Sequence, residues 1–303
     1  MRFGISIPQF VADGEFNPSA FSAYLARAEA LGFDSAWTQE QVLGTMPHLG
    51  PIETMTYAAA CTQRLRLGCA VLVTTLHSPV HLAKSLSALD QMSRGRVEIG
   101  VGTGGPGRMF SAFGVDPERF VARFTEGLAL MKTLWTESTV DFDGQFWQLE
   151  NAAMEPKPFQ KPHPPIWFGG GSRVALRRAV RHGNGFFGAG SIPTARFAEQ
   201  VRTVRESVAE TDAAEFPIAK RVYIAVDDDA TRARERMNAA LARLYGGRSE
   251  TIEAAAVTGT PDSCVRGLRE AVDAGAEMIL CTPMFDQAEQ MERLATEVLP
   301  QLA

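Results

Sequence analysis

The sequence predicts an α/β protein, a single (β/α)8 TIM barrel spanning residues 1–303. Short runs rich in β-branched residues alternate with longer amphipathic stretches, the pattern of parallel strands joined by covering helices. The candidate strands Arg2–Ile7, Asp34–Thr38, Arg66–Leu72, Arg96–Val101, Pro165–Phe168, Gly185–Gly188, Ala219–Val226 and Glu277–Cys281 make eight, the number that closes such a barrel. A length of 303 residues with 45% hydrophobic content describes one well-cored chain near the size of a single barrel.

Each element has a local cause. Asn17-Pro18 supplies a cap and a first-turn proline; Phe21, Tyr24, Leu25, Ala28 and Leu31 then repeat at helical spacing, and Gly32 ends the helix. Ser78-Pro79 opens the helix after the third strand, with Leu82, Leu86, Leu89 and Met92 as its core stripe, and Phe124, Leu128, Met131 and Leu134 mark the next. Thr260-Pro261 and Thr282-Pro283 repeat the start signal near the end. From Thr139 to Pro165 the simple alternation breaks. There Thr139–Phe142 and Phe146–Leu149 flank the turn dipeptide Asp143-Gly144, which predicts a hairpin inserted after the fourth strand. Gly102–Val115 and Tyr245–Gly259 are long connections at strand carboxyl ends, where barrel enzymes build their sites, and are candidate substrate loops.

Charge and cysteine usage narrow the function classes. A net charge of -5 gives no basic field, so neither nucleic acid nor an anionic membrane is an expected partner. The opening MRFGISIPQF lacks a charged region followed by an apolar one, and no run approaches the roughly 20 apolar residues that span a bilayer, so a cytoplasmic location is expected. Cys61, Cys69, Cys264 and Cys281 show no metal-like pairing and are expected as reduced thiols. His77 and His81 stand one helical turn apart, but with no third ligand and no H-E-x-x-H, so no metal is expected.

Two glycine-rich segments invite chemistry. GVGTGG at Gly100–Gly105 formally fits G-x-G-x-x-G, yet Pro106 and Gly107 stand where a phosphate-binding helix should begin, and the strand is the fourth instead of the first. Its glycines serve either the close approach of a flat ring to the backbone or a structural turn. In PPIWFGGGSRVALRRAV a buried strand runs through three glycines and Ser172 into a helix. Gly169–Ser172 can therefore hold a phosphate at the helix start, with Arg173 or Arg177 adding charge, or can be an ordinary loop capped by Ser172. Glu98, in a buried strand, is read as the partner of an internal arginine ahead of catalysis; Trp37, Phe110 and Phe113 wall a pocket or simply pack.

SRGRVEIGVGTG and PHPPIWFGGGSRVALRRAVRHGNGF, with GFDSAWTQEQ, VLVTTLHSPVHLAKSLSALDQMS and VTGTPDSCVRGLREAVDAGAEMIL, occur in order almost end to end. Together they resemble the bacterial luciferase-like monooxygenase family, including its coenzyme F420-dependent oxidoreductase branch. The resemblance implies a barrel with a further insertion after the seventh strand, a flavin-type ring over the mouth, and a homodimer. It places the ring against Leu72, Val73 and Thr74, with a non-prolyl cis peptide at Val73-Thr74 or its neighbour. Thr103 and Gly104 would meet the ring edge or ribityl chain, Gly169, Gly170, Gly171 and Ser172 the phosphate, and Gly188 and Ala189 the other side.

The family motif after the second strand usually ends in an acidic residue followed by histidine, and here it reads Glu40-Gln41. Glu40 can act as acid or base, or can simply pair with a neighbouring base, whereas Gln41 can only exchange hydrogen bonds. If the family histidine delivers a proton, this chain must take it from Glu40, His48, His77, water or the substrate, or lack that step; His48, His77 and Phe110 are candidate pocket residues. F420 and FMN share a ribityl phosphate handle; F420 favours hydride transfer to or from a small organic substrate, and reduced FMN can activate oxygen. F420 is the expected cofactor, with Arg173, Arg177, Arg108 and Lys84 as candidates for its anionic tail. The alternatives are a two-component monooxygenase fed with FMN by a separate flavin reductase, and a catalytically silent flavin-binding protein in which Gln41 replaces the expected histidine.

Overall fold

A computed structural model describes residues 1–11, 15–44, 46–105, 110–211 and 215–302. Strand β1 (Arg2–Ser6) leads through α1 (Pro18–Ala30) to β2 (Ser35–Thr38), α2 (Pro51–Cys61), β3 (Arg66–Val73), α3 (Pro79–Ser93), β4 (Val97–Gly102) and α4 (Phe120–Thr136). An antiparallel hairpin, β5 (Val140–Asp143) and β6 (Gln148–Ala152), precedes β7 (Ile166–Gly169), α5 (Arg173–His182), β8 (Gly185–Gly188), α6 (Thr194–Ala209) and β9 (Ile218–Val226). Then come α7 (Ala230–Tyr245), α8 (Glu250–Glu253), β10 (Val257–Gly259), α9 (Pro261–Asp273), β11 (Met278–Thr282) and α10 (Gln287–Arg293). Among the described residues, β1, β2, β3, β4, β7, β8, β9 and β11 pair in parallel and close on themselves, which is the (β/α)8 barrel expected. Both expected insertions are present: the hairpin after α4, and the segment carrying α8 and β10, where β10 extends the outer end of β9.

Local signals act mostly where the sequence places them. Asn17 accepts from Ala20 N to cap α1, Pro18 and Pro79 fill first-turn positions, Thr260 caps α9, and Gly32 leaves α1 with φ +86°. Thr282-Pro283 is the exception: α10 begins at Gln287, after Asp286, because β11 continues through Thr282 and the chain needs the next residues to turn. No described helix is long and apolar enough to cross a membrane.

The barrel interior is filled by an aromatic trio, Trp37, Trp167 and Phe187, with Trp37 and Phe187 centroids 4.9 Å apart. Glycines on neighbouring strands admit them: a Cβ on Gly68 would lie 2.4 Å from the Trp37 ring, and one on Gly185 would lie 2.7 Å from Trp167. At the amino end of the barrel, buried Glu98 accepts from Arg2 Nη2 at 2.6 Å, from Arg66 Nε, and from Trp167 Nε1 at 2.7 Å. Glu98 is thus an internal ion-pair partner far from the mouth, on the face where barrels keep stabilising contacts.

One irregularity shapes the opposite end. The β3–β4 register shifts between Cys69 and Leu72, and the Ala70-Val71 peptide is cis. The extra residue of this bulge turns both Ala70 and Val71 toward the mouth, and Val71 packs over inward-facing glycines of β4 and β7. A Cβ on Gly100 would stand 1.9 Å from the Cys69 carbonyl oxygen, which is backbone and cannot rotate away. Gly100→Ala should therefore destabilise the chain by about 2–3 kcal/mol in urea unfolding. Gly105→Ala, where a Cβ meets nothing within 4 Å, should stay within roughly 0.5 kcal/mol of wild type. Equal effects would show that strand contact at the bulge is not what Gly100 provides.

Candidate active site

Two cavities open at the carboxyl ends of the barrel strands, one of about 390 Å3 and one of about 400 Å3. Ala70, Val71, Gly104 and Arg221 line both, so the two form one groove with the bulge as its shared wall. Gly104 (φ +72°) occupies a backbone conformation that side chains disfavour, at the point where the chambers meet.

The larger chamber ends at the junction of β7 and α5. Gly169, Gly170 and Gly171 line it from one side and Gly188 and Ala189 from the other, with Thr103 and Gly104 between. Ser172 caps α5, its Oγ accepting from Ala175 N at 3.2 Å, and its side chain faces outward instead of lining the chamber. A Cβ on Gly170 would approach Ala175 Cβ to 3.0 Å, and one on Gly171 would lie 3.4 Å from Gln200 Nε2. Gln200, on α6, is 4% exposed, lines the chamber, and its Oε1 has no partner among the described residues. An orphaned amide beside bare backbone at a helix start fits a ribityl phosphate, whose oxygens accept and whose neighbouring hydroxyls donate. Sequence reasoning missed Gln200, because a glutamine within an amphipathic helix carries no signal of what lies across from it.

The cations proposed for an anionic tail divide. Arg173 is exposed at the cradle and reaches Glu206 at 3.5 Å, and Arg177 is exposed on α5. Lys84 is not near the groove: with Ser87 and Gln91 it donates to the carbonyls of Glu155, Pro156 and Lys157, strapping that segment to α3. Arg108 lies outside the described residues.

The ring wall differs from the expectation. Regular alternation along β3 turns Leu72 inward, but the bulge reverses the faces after Val71 and Leu72 is fully buried in the outer core. The cis peptide accordingly falls at Ala70-Val71 instead of Val73-Thr74. Val73 does line the smaller chamber, and Thr74 enters a short 3-10 turn with its Oγ1 buried. Phe110 is buried against Phe120, with ring centroids 5.4 Å apart, and lines neither chamber.

Glu40 and Gln41 both line the smaller chamber. The Glu40 side chain is nonetheless engaged: Oε2 accepts from Val73 N at 2.5 Å and Oε1 lies 2.7 Å from His77 Nε2. His77 therefore stands behind Glu40, and His81 is exposed. Facing them on β9 are Arg221 and Tyr223, which the sequence reading passed over although Lys220-Arg221 is conspicuous charge in a strand whose pattern is buried. Arg221 Nη2 donates to Gln39 Oε1 at 2.5 Å, Nε to Thr282 Oγ1 at 3.2 Å, and the guanidinium lies 5.0 Å from the Tyr223 ring centroid. Lys220 points the other way, donating to the carbonyls of Ala189 and Ile192, and burial followed by the Arg221 charge brings its pKa down to about 7.

His48 sits behind Gln39, its ring tilted against Phe10 with centroids 4.7 Å apart, and Nε2 lies 3.5 Å from Gln39 Nε2. Burial first, and the Arg221 charge second, lower its pKa from 6.5 to about 4. It is a neutral neighbour of Arg221 at physiological pH. The folded state binds this proton more weakly than the unfolded chain, so its contribution to stability is complete above 6.5 and is lost as pH falls toward 4. In chemical unfolding at about pH 7 and about pH 5, His48→Gln should lose less stability on acidification than wild type; an equal loss would remove His48 from the acid response.

Known proteins share this architecture. The chain is 27% identical over 325 residues to the F420-dependent glucose-6-phosphate dehydrogenase of Amycolatopsis mediterranei, covering 95% of this chain and 96% of that one. The monooxygenase RslO1 of Streptomyces bottropensis superposes with a TM-score of 0.85 at 25% identity over 100% of both chains. An F420-dependent secondary alcohol dehydrogenase bound to an F420-acetone adduct has the same fold, with a TM-score of 0.84 at 18% identity over 100% of this chain and 99% of that one. Residues 1–278 match the luciferase-like monooxygenase family, and this chain is an oxidoreductase that belongs to it.

Proposed function

We propose that this enzyme uses coenzyme F420 to move a hydride between the deazaflavin and a small alcohol or carbonyl compound. The observation that carries the proposal is the donor set of the phosphate cradle. F420 has a phosphodiester, with one negative charge, whereas FMN has a monoester that approaches two near neutral pH. Beside the glycines the cradle offers backbone amides at the start of α5 and the Gln200 amide, while Lys220 is engaged by two carbonyls, Arg173 by Glu206, and Arg221 by Gln39 and Thr282. Neutral donors suit the singly charged diester. The full-length similarity to an F420-dependent dehydrogenase supports the same choice.

A deazaflavin held in the groove supplies a carbon on its central ring that accepts or gives a hydride. Val71 and Ala70 would form the wall behind it, and Gly104 would let it lie close to the backbone. Glu40 lines the smaller chamber, but both its oxygens are engaged, by Val73 N and His77, holding that wall in place. Gln41 can orient a substrate oxygen but cannot exchange its proton. Tyr245 can: its Oη lies 2.7 Å from Tyr223 Oη, it lines the smaller chamber, and at 44% exposure it passes a proton between substrate and water. A homodimer is part of the same proposal.

A second reading, a monooxygenase supplied with reduced FMN by a separate reductase, is favoured by the 25% identity to RslO1. Titration of the protein with F420 and with FMN, followed by fluorescence quenching, separates the two. F420 should bind about tenfold or more tightly than FMN, and the reverse order would overturn the assignment. Gly170→Val, whose side chain must displace Ala175, should weaken both by roughly tenfold or more; unchanged affinities would move the phosphate elsewhere.

A further inference from the structure

We propose that Arg221 is a substrate-binding residue, and that the substrates of this enzyme carry a carboxylate. The proposal rests on the assignment of the smaller chamber to the substrate. Along β9, Ala219 packs into the barrel interior, and Arg221, two residues on, emerges at the mouth with its side chain half-buried. It lines both chambers, yet no described carboxylate lies within ion-pair distance of it. Glu40, the acid in the same chamber, has each oxygen engaged by Val73 N or His77. The partners Arg221 does have, Gln39 Oε1 and Thr282 Oγ1, are neutral, and Nη1 has none among the described residues.

A half-buried cation without a counter-ion is costly unless an anion completes the site. The guanidinium is held ready for one. Gln9 fixes Gln39, accepting from its backbone N at 2.6 Å and donating to its carbonyl at 3.0 Å, and Gln39 in turn fixes Nη2. The Tyr223 ring supports the guanidinium from a face. A rigid planar fork selects a carboxylate over a spherical anion. Leu43, Val73 and Leu244 supply apolar surface to the same chamber of about 390 Å3, which suits a small organic acid with a hydrocarbon body.

Benzoate and benzamide, equal in shape and different in charge, are the probes. Each is titrated calorimetrically into wild type, Arg221→Gln and Arg221→Lys, with and without F420, and F420 affinity is measured separately for all three. Wild type should prefer benzoate by about tenfold or more. Arg221→Gln should abolish the preference, Arg221→Lys should reduce it several-fold, and F420 affinity should change by less than about threefold. If Arg221→Gln fails to fold, the lysine variant carries the comparison. No preference in wild type overturns the proposal, as does a preference that survives both substitutions. A loss confined to F420 binding also overturns it, because Arg221 then serves the cofactor. Failure of F420 to bind wild type would instead count against the cofactor assignment, while titration of the free protein still reports on Arg221.

Discussion

The seating of Val71 among three glycines is the contact on which the rest of the site depends. A Cβ on Gly102 would lie 2.8 Å from Val71 Cγ2, and one on Gly100 or Gly169 would lie 3.1 Å from Cγ1. Side chains at those positions would force the bulge out of the mouth, and the wall shared by both chambers would go with it. The same bulge leads to Val73, whose N–H is taken by Glu40, so the second, third, fourth and fifth barrel strands meet in one packed unit. A hydrogen bond and steric fit together hold the bulge as the wall shared by both chambers.

The mouth is electrically uneven around that wall. Beside the glycines the donors are backbone and side-chain amides, Arg173 outside them reaches Glu206, and Lys220 faces away from the chamber into the carbonyls of the loop after β8. At the other end Arg221 concentrates positive charge among neutral partners and helps keep His48 neutral. Glu40-Gln41 changes meaning in this setting. Glu40 is a structural anchor for the wall, Gln41 remains in the chamber as a hydrogen-bonding group, and across the groove the exposed Tyr245 hydroxyl meets water while Tyr223, hydrogen-bonded to it, is buried.

Much of the scaffold is legible without coordinates, because strand and helix periodicities and their caps are local properties. Gly185–Gly188 occupies the predicted residues, and the other barrel strands differ at their ends by one residue or so. The glycine run Gly169–Gly171 is legible as bare backbone before a helix for a related reason, and it lines the larger chamber. The pattern GVG is legible only as a need for space. That the space belongs to Val71 follows from two strands meeting, and alternation alone assigns it to a ring.

What failed to be legible depends on partners distant in sequence. Leu72 alternates inward on paper, and one extra residue in β3 reverses it, a shift set by pairing with β4 instead of by β3 itself. Gln200 and Arg221 acquire their roles only because α6 and β9 are brought against loops far from them along the chain. The sequence by itself determined the barrel, its order of elements and the glycine-lined helix start at its mouth, since hydrophobic period and glycine-to-helix junctions are encoded within a few residues. Only the tertiary structure decided which face of the bulge lines the mouth, that Glu40 is bound to the wall, and that Arg221, with no carboxylate partner among the described residues, lines the smaller chamber, since each follows from side chains meeting across barrel closure.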